Sequence, residues 1–264
     1  MSRISFLGKH APAALIVLFV AWAMPSGAFA ELIGFEVLEW KQDLTGTMRV
    51  DQGSITGTEE DLQDDLGLEV EDTLTQWRAW LRITEHQSIL ASHLESNRTG
   101  RATLTSPLVF GGVAFAPGDT IKSSLELRQD SLLWRYDFIA SKVFKFGVPF
   151  GAGRLRLSSE VESEVSGLSG DGGDVGTIPV VGLGFSFEPL PVFHVAAEAE
   201  GMNIHLNGNA YRVYDARGQV EIHFAPFIGL NLGYRKGVAD VEMGDLGKAD
   251  LEFNGPFATL TFRF

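Results

Sequence analysis

The stretch "FATLTFRF" (residues 257–264) sets Ala258, Leu260, Phe262 and Phe264 on one face and Thr259, Thr261 and Arg263 on the other. Alternation with a period of two is the pattern of a β-strand with one apolar and one polar side. Here the apolar side is partly aromatic and runs to the last residue. Strand ends in water fray. A strand finished this way calls for an apolar medium against one face and another strand along its edge.

The alternation recurs upstream. "TLTQWRAWLRI" (73–83) places Trp77, Ala79, Leu81 and Ile83 opposite Gln76, Arg78, Trp80 and Arg82. "DARGQVEIHF" (215–224) places Ala216, Val220, Ile222 and Phe224 opposite Asp215, Arg217, Gln219, Glu221 and His223. A soluble sandwich alternates too, but three features favour a barrel in lipid. The polar faces carry charges of both signs while the apolar faces carry none. Aromatic residues gather near strand ends, at Trp134, Tyr136 and Phe138, at Phe144 and Phe146, and at Phe224 and Phe227. Short connections at 84–87, 140–142, 188–191 and 225–227 alternate with long polar ones at 52–72, 98–120, 160–176 and 238–252. Aromatic girdles, short periplasmic turns and long outer loops are the outer-membrane pattern.

The opening segment, "MSRISFLGKHAPAALIVLFVAWAMPSGAFA" (1–30), has a basic start, an apolar centre from Ala13 to Met24 and an Ala28-Phe29-Ala30 site. This is the layout of a secretory signal peptide cut near Ala30. As a helix its centre would rise about 18 Å, short of the roughly 30 Å hydrocarbon core. Residues 31–264 are then expected to form one barrel domain. The chain has no Cys, so no disulfide supports it outside the cytoplasm. The first 30 residues hold two of the 21 basic residues and none of the 34 acidic ones, which leaves a net charge of −15 on the remainder. That balance argues against nucleic acid as a partner.

The closing segment and the signal peptide together resemble small Gram-negative outer-membrane β-barrels of the OmpA/OmpW-like class. The resemblance implies that Phe262 and Phe264 are an assembly signal read by the barrel-insertion machinery, and that outer-membrane lipid and lipopolysaccharide surround the wall. It also implies a possible small apolar ligand, since OmpW-type barrels are associated with passage of hydrophobic compounds. The fold expected is an all-β transmembrane antiparallel barrel of ten strands, with eight as the alternative, and long extracellular loops. The strands are expected near 35–51, 73–84, 87–97, 121–139, 142–159, 177–188, 191–206, 210–224, 227–239 and 252–264. Along 123–138 and 146–157 the apolar positions change parity, which reads as β-bulges, with Pro149 at one of them.

The expected lumen charges are Arg78, Arg82, Glu95, Glu126, Arg128, Glu198, Asp215, Arg217 and Glu221, together with His93, Asp130, Arg154, Arg156, His194, Glu200, His223 and Arg235. In so narrow a barrel they must pair, because an isolated buried charge is costly. A salt-bridged filling is the leading expectation and a thin polar pore the alternative.

Two loops stand out. "SPLVFGGVAFAPGD" (106–119) carries Leu108, Val109, Phe110, Val113 and Phe115 around a Gly-Gly hairpin turn. It is expected to act as a lid over the barrel mouth, or else as an entry site for an apolar molecule. "TEEDLQDDLGLEVED" (58–72) has eight acidic residues and no basic one. Thr58 and Asp61 have capping-box spacing, and Gly67 is placed to end a helical turn. The loop reads as solvated, with a divalent-cation site as the alternative, although it lacks the order of a calcium loop. "HQS" (86–88) has the His-x-Ser spacing of lipid A deacylases but sits at a periplasmic turn without a partner carboxylate. No catalytic, metal or cofactor residues are assigned. The expected function is that of a non-enzymatic, structural or weakly conducting outer-membrane protein. A passive channel or binding protein for small hydrophobic molecules, or an adhesin, are the alternatives.

Overall fold

The computed structural model describes residues 32–206 and 208–264; the expected signal peptide lies outside them. Ten strands form a closed antiparallel barrel: β1 (Ile33–Val50), β3 (Glu71–Thr84), β4 (Gln87–Thr103), β7 (Thr120–Ala140), β8 (Phe144–Ser163), β9 (Ser169–Leu190), β10 (Phe193–Leu206), β11 (Asn209–Ala225), β12 (Ile228–Met243) and β13 (Gly247–Arg263). A two-residue strand, β2 (Glu60–Asp61), pairs with β1, and β5 (Leu108–Phe110) with β6 (Val113–Phe115) forms a separate hairpin. Each barrel strand neighbours the next in sequence, and β13 returns to β1. The last pairing places Phe262 opposite Phe35, and Phe264 and Ile33 exchange backbone hydrogen bonds at 2.7 and 3.0 Å. The closing strand thus pairs along its edge, apart from a break at Gly255 and Pro256 between Trp40–Phe257 and Asp43–Asn254, and lipid requires such pairing because it offers no water to an open edge.

The strands are longer than a membrane needs, and they have two storeys. In the lower storey, next to the tight turns, apolar side chains point outward: Leu132 is 61% exposed, Leu183 54%, Ile222 54% and Leu232 61%. On β11 this outward band runs from Tyr214 to Phe224; at about 3.3 Å per residue and a tilt of about 40° it rises about 25 Å, the height of a membrane belt. In the upper storey the apolar residues turn inward. Leu125, Leu127, Leu157 and Val161 are buried, as are Leu44, Met48, Leu94, Val241 and Leu251.

This inversion explains the changes of parity along 123–138 and 146–157. The β7–β8 ladder runs without interruption from Ile121–Ser163 to Asp137–Gly147, and its irregularity falls at Asp137/Ile139. That irregularity lies at the turn end of both stretches, and no bulge falls between Leu127 and Leu132 or between Phe150 and Leu155, where the parity changes. The medium changes instead, from lipid outside the wall to a packed core inside it. Pro149 marks a different feature: with no N–H to donate, it sits where β8–β9 pairing skips from Gly147 to Phe150.

The upper storey is closed like a soluble domain. The β5–β6 hairpin turns on Gly111 and Gly112, both at positive φ (56° and 75°), as a two-residue type I′ connection requires. It drops Leu108, Phe110 and Phe115 into the core at 1%, 0% and 2% exposure. Its backbone is tied at Gly111 N–Val50 O (3.2 Å) and Thr58 N–Val109 O (2.8 Å). The acidic loop packs beside it. Asp61 itself caps the turn, accepting from the backbone of Gln63 and Asp64 at 2.8 and 2.9 Å, and Gly67 ends it at φ 65°. Thr58 instead accepts from Val109 N at 2.9 Å. Leu62, Leu66 and Leu68 turn inward at 2–4% exposure, and of the loop's carboxylates Glu60 is buried with them at 7%.

One ladder is incomplete. β9 and β10 pair from Phe193–Leu190 up to Gly201–Val181, and no pairing between them is found beyond that among the described residues. β9 continues alone against β8 as far as Ser169. Pro179 lies just past the last pair and cannot donate to the ladder. Higher up, Tyr211 packs its ring against the backbone of Gly176, with ring carbon Cε1 3.6 Å from where a Cβ at Gly176 would stand.

Candidate functional site: an ion-paired lumen beneath an apolar core

In the lower storey the inward positions of the strands converge on a carboxylate. Glu198 on β10 accepts from Arg78 on β3 (2.8 Å), Arg135 on β7 (3.2 Å) and Arg217 on β11 (2.9 Å). All four side chains are 10–14% exposed. Arg135 bridges to Asp137 at 2.7 Å, and Arg217 lies 3.8 Å from Glu36. The chain approaches closely enough for this because position 184 is glycine: a Cβ there would stand 2.7 Å from Arg135 Nη1.

A second knot sits nearer the periplasmic turns. Glu221, 1% exposed, faces His194 at 3.0 Å and His223 at 2.9 Å and is also paired with Arg263. Above both knots, Arg235 donates to Asp215 (2.8 Å) and Gln76 (2.6 Å) and lies 4.5 Å beneath the Trp40 ring. Trp40 in turn donates to Gly255 O at 3.2 Å. This layer is the floor of the apolar core. Between the knots and the turns lies a vestibule of about 160 Å³, lined by Arg78, Arg82, Trp80, Glu188, Gln219 and neighbouring residues.

The expected lumen set divides by storey. Arg78, Arg82, Glu198, Asp215, Arg217 and Glu221 face inward together with His194, Glu200, His223 and Arg235. Glu95, Glu126 and Arg128 do not. They occupy outward positions of the upper storey, as do His93, Asp130, Arg154 and Arg156, because Leu94, Leu125, Leu127 and Leu157 hold the alternate, inward positions there. Arg128 pairs with Glu95 at 2.7 Å, and His93 with Asp130 at 2.6 Å, on the outer wall. The Arg128 guanidinium holds the Glu95 carboxyl below its ordinary value. Sequence reading missed Glu36, Arg135, Asp137 and Arg263. Their parity on each strand is the signal that finds them, once the turns are fixed.

His86 of the His-x-Ser segment sits in the β3–β4 turn, with Nδ1 2.7 Å from Asp137 O, and stacks on Tyr136. Among the described residues, no group of three or more His, Cys, Asp or Glu is arranged to hold a metal ion. Outside the membrane belt, burial and the charge of Asp65 push the Glu60 carboxyl up to about 7.

No protein-family model matches the chain, and no curated protein matches it in sequence. Solved structures do. The outer-membrane protease OmpT from Escherichia coli superposes with a TM-score of 0.57 at 11% identity, covering 90% of this chain and 99% of that one. The fold is that of an outer-membrane β-barrel. Ail, the attachment invasion locus protein of Yersinia pestis, matches at TM-score 0.36 and 10% identity over 87% of this chain and 99% of its own. Neisserial surface protein A matches at 0.32 and 10% over 90% and 100%. These identities speak to the fold of the barrel and leave its activity to its own residues.

Proposed function

We propose that the protein is a non-enzymatic resident of the outer membrane that seals rather than conducts. In this reading it reaches the membrane after cleavage near Ala30, is inserted by the barrel machinery through Phe262 and Phe264, and meets lipopolysaccharide at its outer wall. The observation that carries the reading is the doubly closed interior. A pore must be continuous, and this one is interrupted by the ion-paired knots around Glu198 and Glu221 and again by the core beneath Phe110. Leu108, Phe110 and Phe115 support the lid role for the hairpin over the entry role, since their side chains fill the core. Cell fractionation and planar-bilayer recording test the reading. Outer-membrane recovery with no steady conductance is expected; a soluble periplasmic monomer, or large steady channels, would refute it.

The β9–β10 parting favours one second reading, passage or binding of a small apolar molecule. A cavity of about 50 Å³ lies within the barrel, with Leu94, Leu127, Ile178, Val213 and Phe253 in its lining. Ile178 stands on β9, which borders the parting, and Val213 on β11, one strand beyond β10. Uptake of an apolar dye by proteoliposomes, faster for Tyr211→Ala than for wild type, would favour this reading over a sealed wall.

A further inference from the structure

The outer wall of β8 is stratified. Its outward positions read Phe146, Val148, Phe150 and Ala152, then Arg154 and Arg156, then Ser158, and then Glu160 and Glu162. The two arginines therefore stand on one face immediately above the apolar belt. On the neighbouring β7 the same height holds Asp130 and Arg128, directly across from Arg154 and Arg156.

These two arginines differ from the rest. Every other described arginine has an ion-pair or hydrogen-bond partner in the protein. Arg154 and Arg156 have none among the described residues. Arg128 beside them is engaged by Glu95 through Nη2, while its Nε is buried without a partner. Of the nearby carboxylates, Asp130 faces His93 and Glu95 holds Arg128, while Glu126, across from Ser158 on the same wall, forms no ion pair with either arginine. Acidic side chains are plentiful in the upper storey, so two cations left unpaired at one height call for an external anion.

We infer that Arg154 and Arg156 form a binding site for the phosphate headgroup of an outer-leaflet lipid. A planar guanidinium matches a phosphate bidentately and outperforms a point charge for it. The height decides the source. Phe150, 49% exposed, marks the acyl region immediately below, so a lipid whose chains lie on Phe150 and Val148 presents its phosphate to Arg154. The inference rests on the apolar belt being lipid-facing.

The test uses the full mature protein refolded into phosphatidylcholine vesicles that contain lipid A or its dephosphorylated form. Re-isolated barrels are analysed for co-purifying lipid, and gel mobility before and after boiling shows in the same sample that the barrel is folded. Wild type should retain lipid A over the dephosphorylated form by about tenfold or more, as loss of charged hydrogen bonds implies. Arg154→Gln with Arg156→Gln should lose that preference, and Lys142→Gln, at the opposite end, should keep it. Arg154→Gln alone, an exposed single change, serves if the double variant does not fold. Equal retention by wild type and variant, or of the two lipids by wild type, would overturn the site. Displacement of lipid A by inorganic phosphate at tens of millimolar would overturn the lipid as ligand and leave a small-anion site. A wild type that never enters vesicles would instead sink the lipid-facing belt itself.

Discussion

Replacing Glu198 with Gln tests whether the lower storey is held by its charges. The substitution keeps the shape and one acceptor oxygen but removes the charge on which Arg78, Arg135 and Arg217 converge at 2.8–3.2 Å. Arg135 retains Asp137 and Arg217 retains Glu36, whereas Arg78 loses its direct carboxylate. Breaking a buried pair costs about 3–5 kcal/mol, because the uncompensated charge stays out of water. For a domain of this size that corresponds to a fall of roughly 6–20 °C in the folded-to-unfolded gel transition. The matched control is Glu95→Gln, which breaks a half-exposed wall pair with Arg128 and should cost no more than about 1 kcal/mol. If Glu198→Gln melts within about 2 °C of the control, the network does not fill the lumen as argued, and water must already screen it.

Phe110→Ala should cost about 3–5 kcal/mol of cap stability, since the ring is fully buried, yet leave bilayer conductance near zero because the ion-paired layer remains. Amide exchange in residues 104–119 reads the first effect and single-channel recording the second. Glu60 gives a pH signature: its carboxyl holds its proton to about pH 7 in the folded loop but ionises near 4.5 when the loop opens. Loop stability therefore falls as pH rises from about 4.5 to 7. Residues 60–68 should be better protected from exchange at pH 5.5 than at pH 8, after correction for intrinsic rates, and Glu60→Gln should flatten the difference. Phe264→Ser should lower membrane insertion without altering export, as measured by fractionation against total exported protein; unchanged insertion would mean that the residue is merely the end of a strand.

Strand number and the tight turns were legible because lower-storey alternation is strict wherever lipid and a polar lumen impose opposite faces, whereas the long outer connections expected at 160–176 and 238–252 are largely strand, closed by residues 164–168 and by a 3-10 turn at Gly244–Leu246. Trp77, Ala79, Leu81 and Ile83, and Ala216, Val220, Ile222 and Phe224, are outward in the structure as they are in the pattern. The upper storey obeys the same period with the opposite sign, since water lies outside and the core inside. Sequence alone does not say where the sign changes, and so the pattern by itself points Glu95, Glu126 and Arg128 into the lumen. The cue was present in Leu125 and Leu127 giving way to Leu132 and Trp134, but a bulge gives the same cue, and only the unbroken β7–β8 ladder separates the two. The knot at Glu198 was out of reach for a different reason. Arg78 and Glu198 are 120 residues apart, and period two fixes the face of a strand but not the height at which two strands meet.

The parted ladder between β9 and β10 changes the mechanics of the wall. A fully laced ring shares any outward push around its whole circumference. A ring laced only up to Val181 and Gly201 behaves as a spring clip, stiff at its root and compliant at its lips. The lips are held by contacts across the mouth instead, where Gly172 lies against Val50 and Gly170 against the carbonyl of Phe110. The hairpin that plugs the barrel is therefore also the latch of the clip, and its removal would soften one sector of the wall while leaving the others rigid.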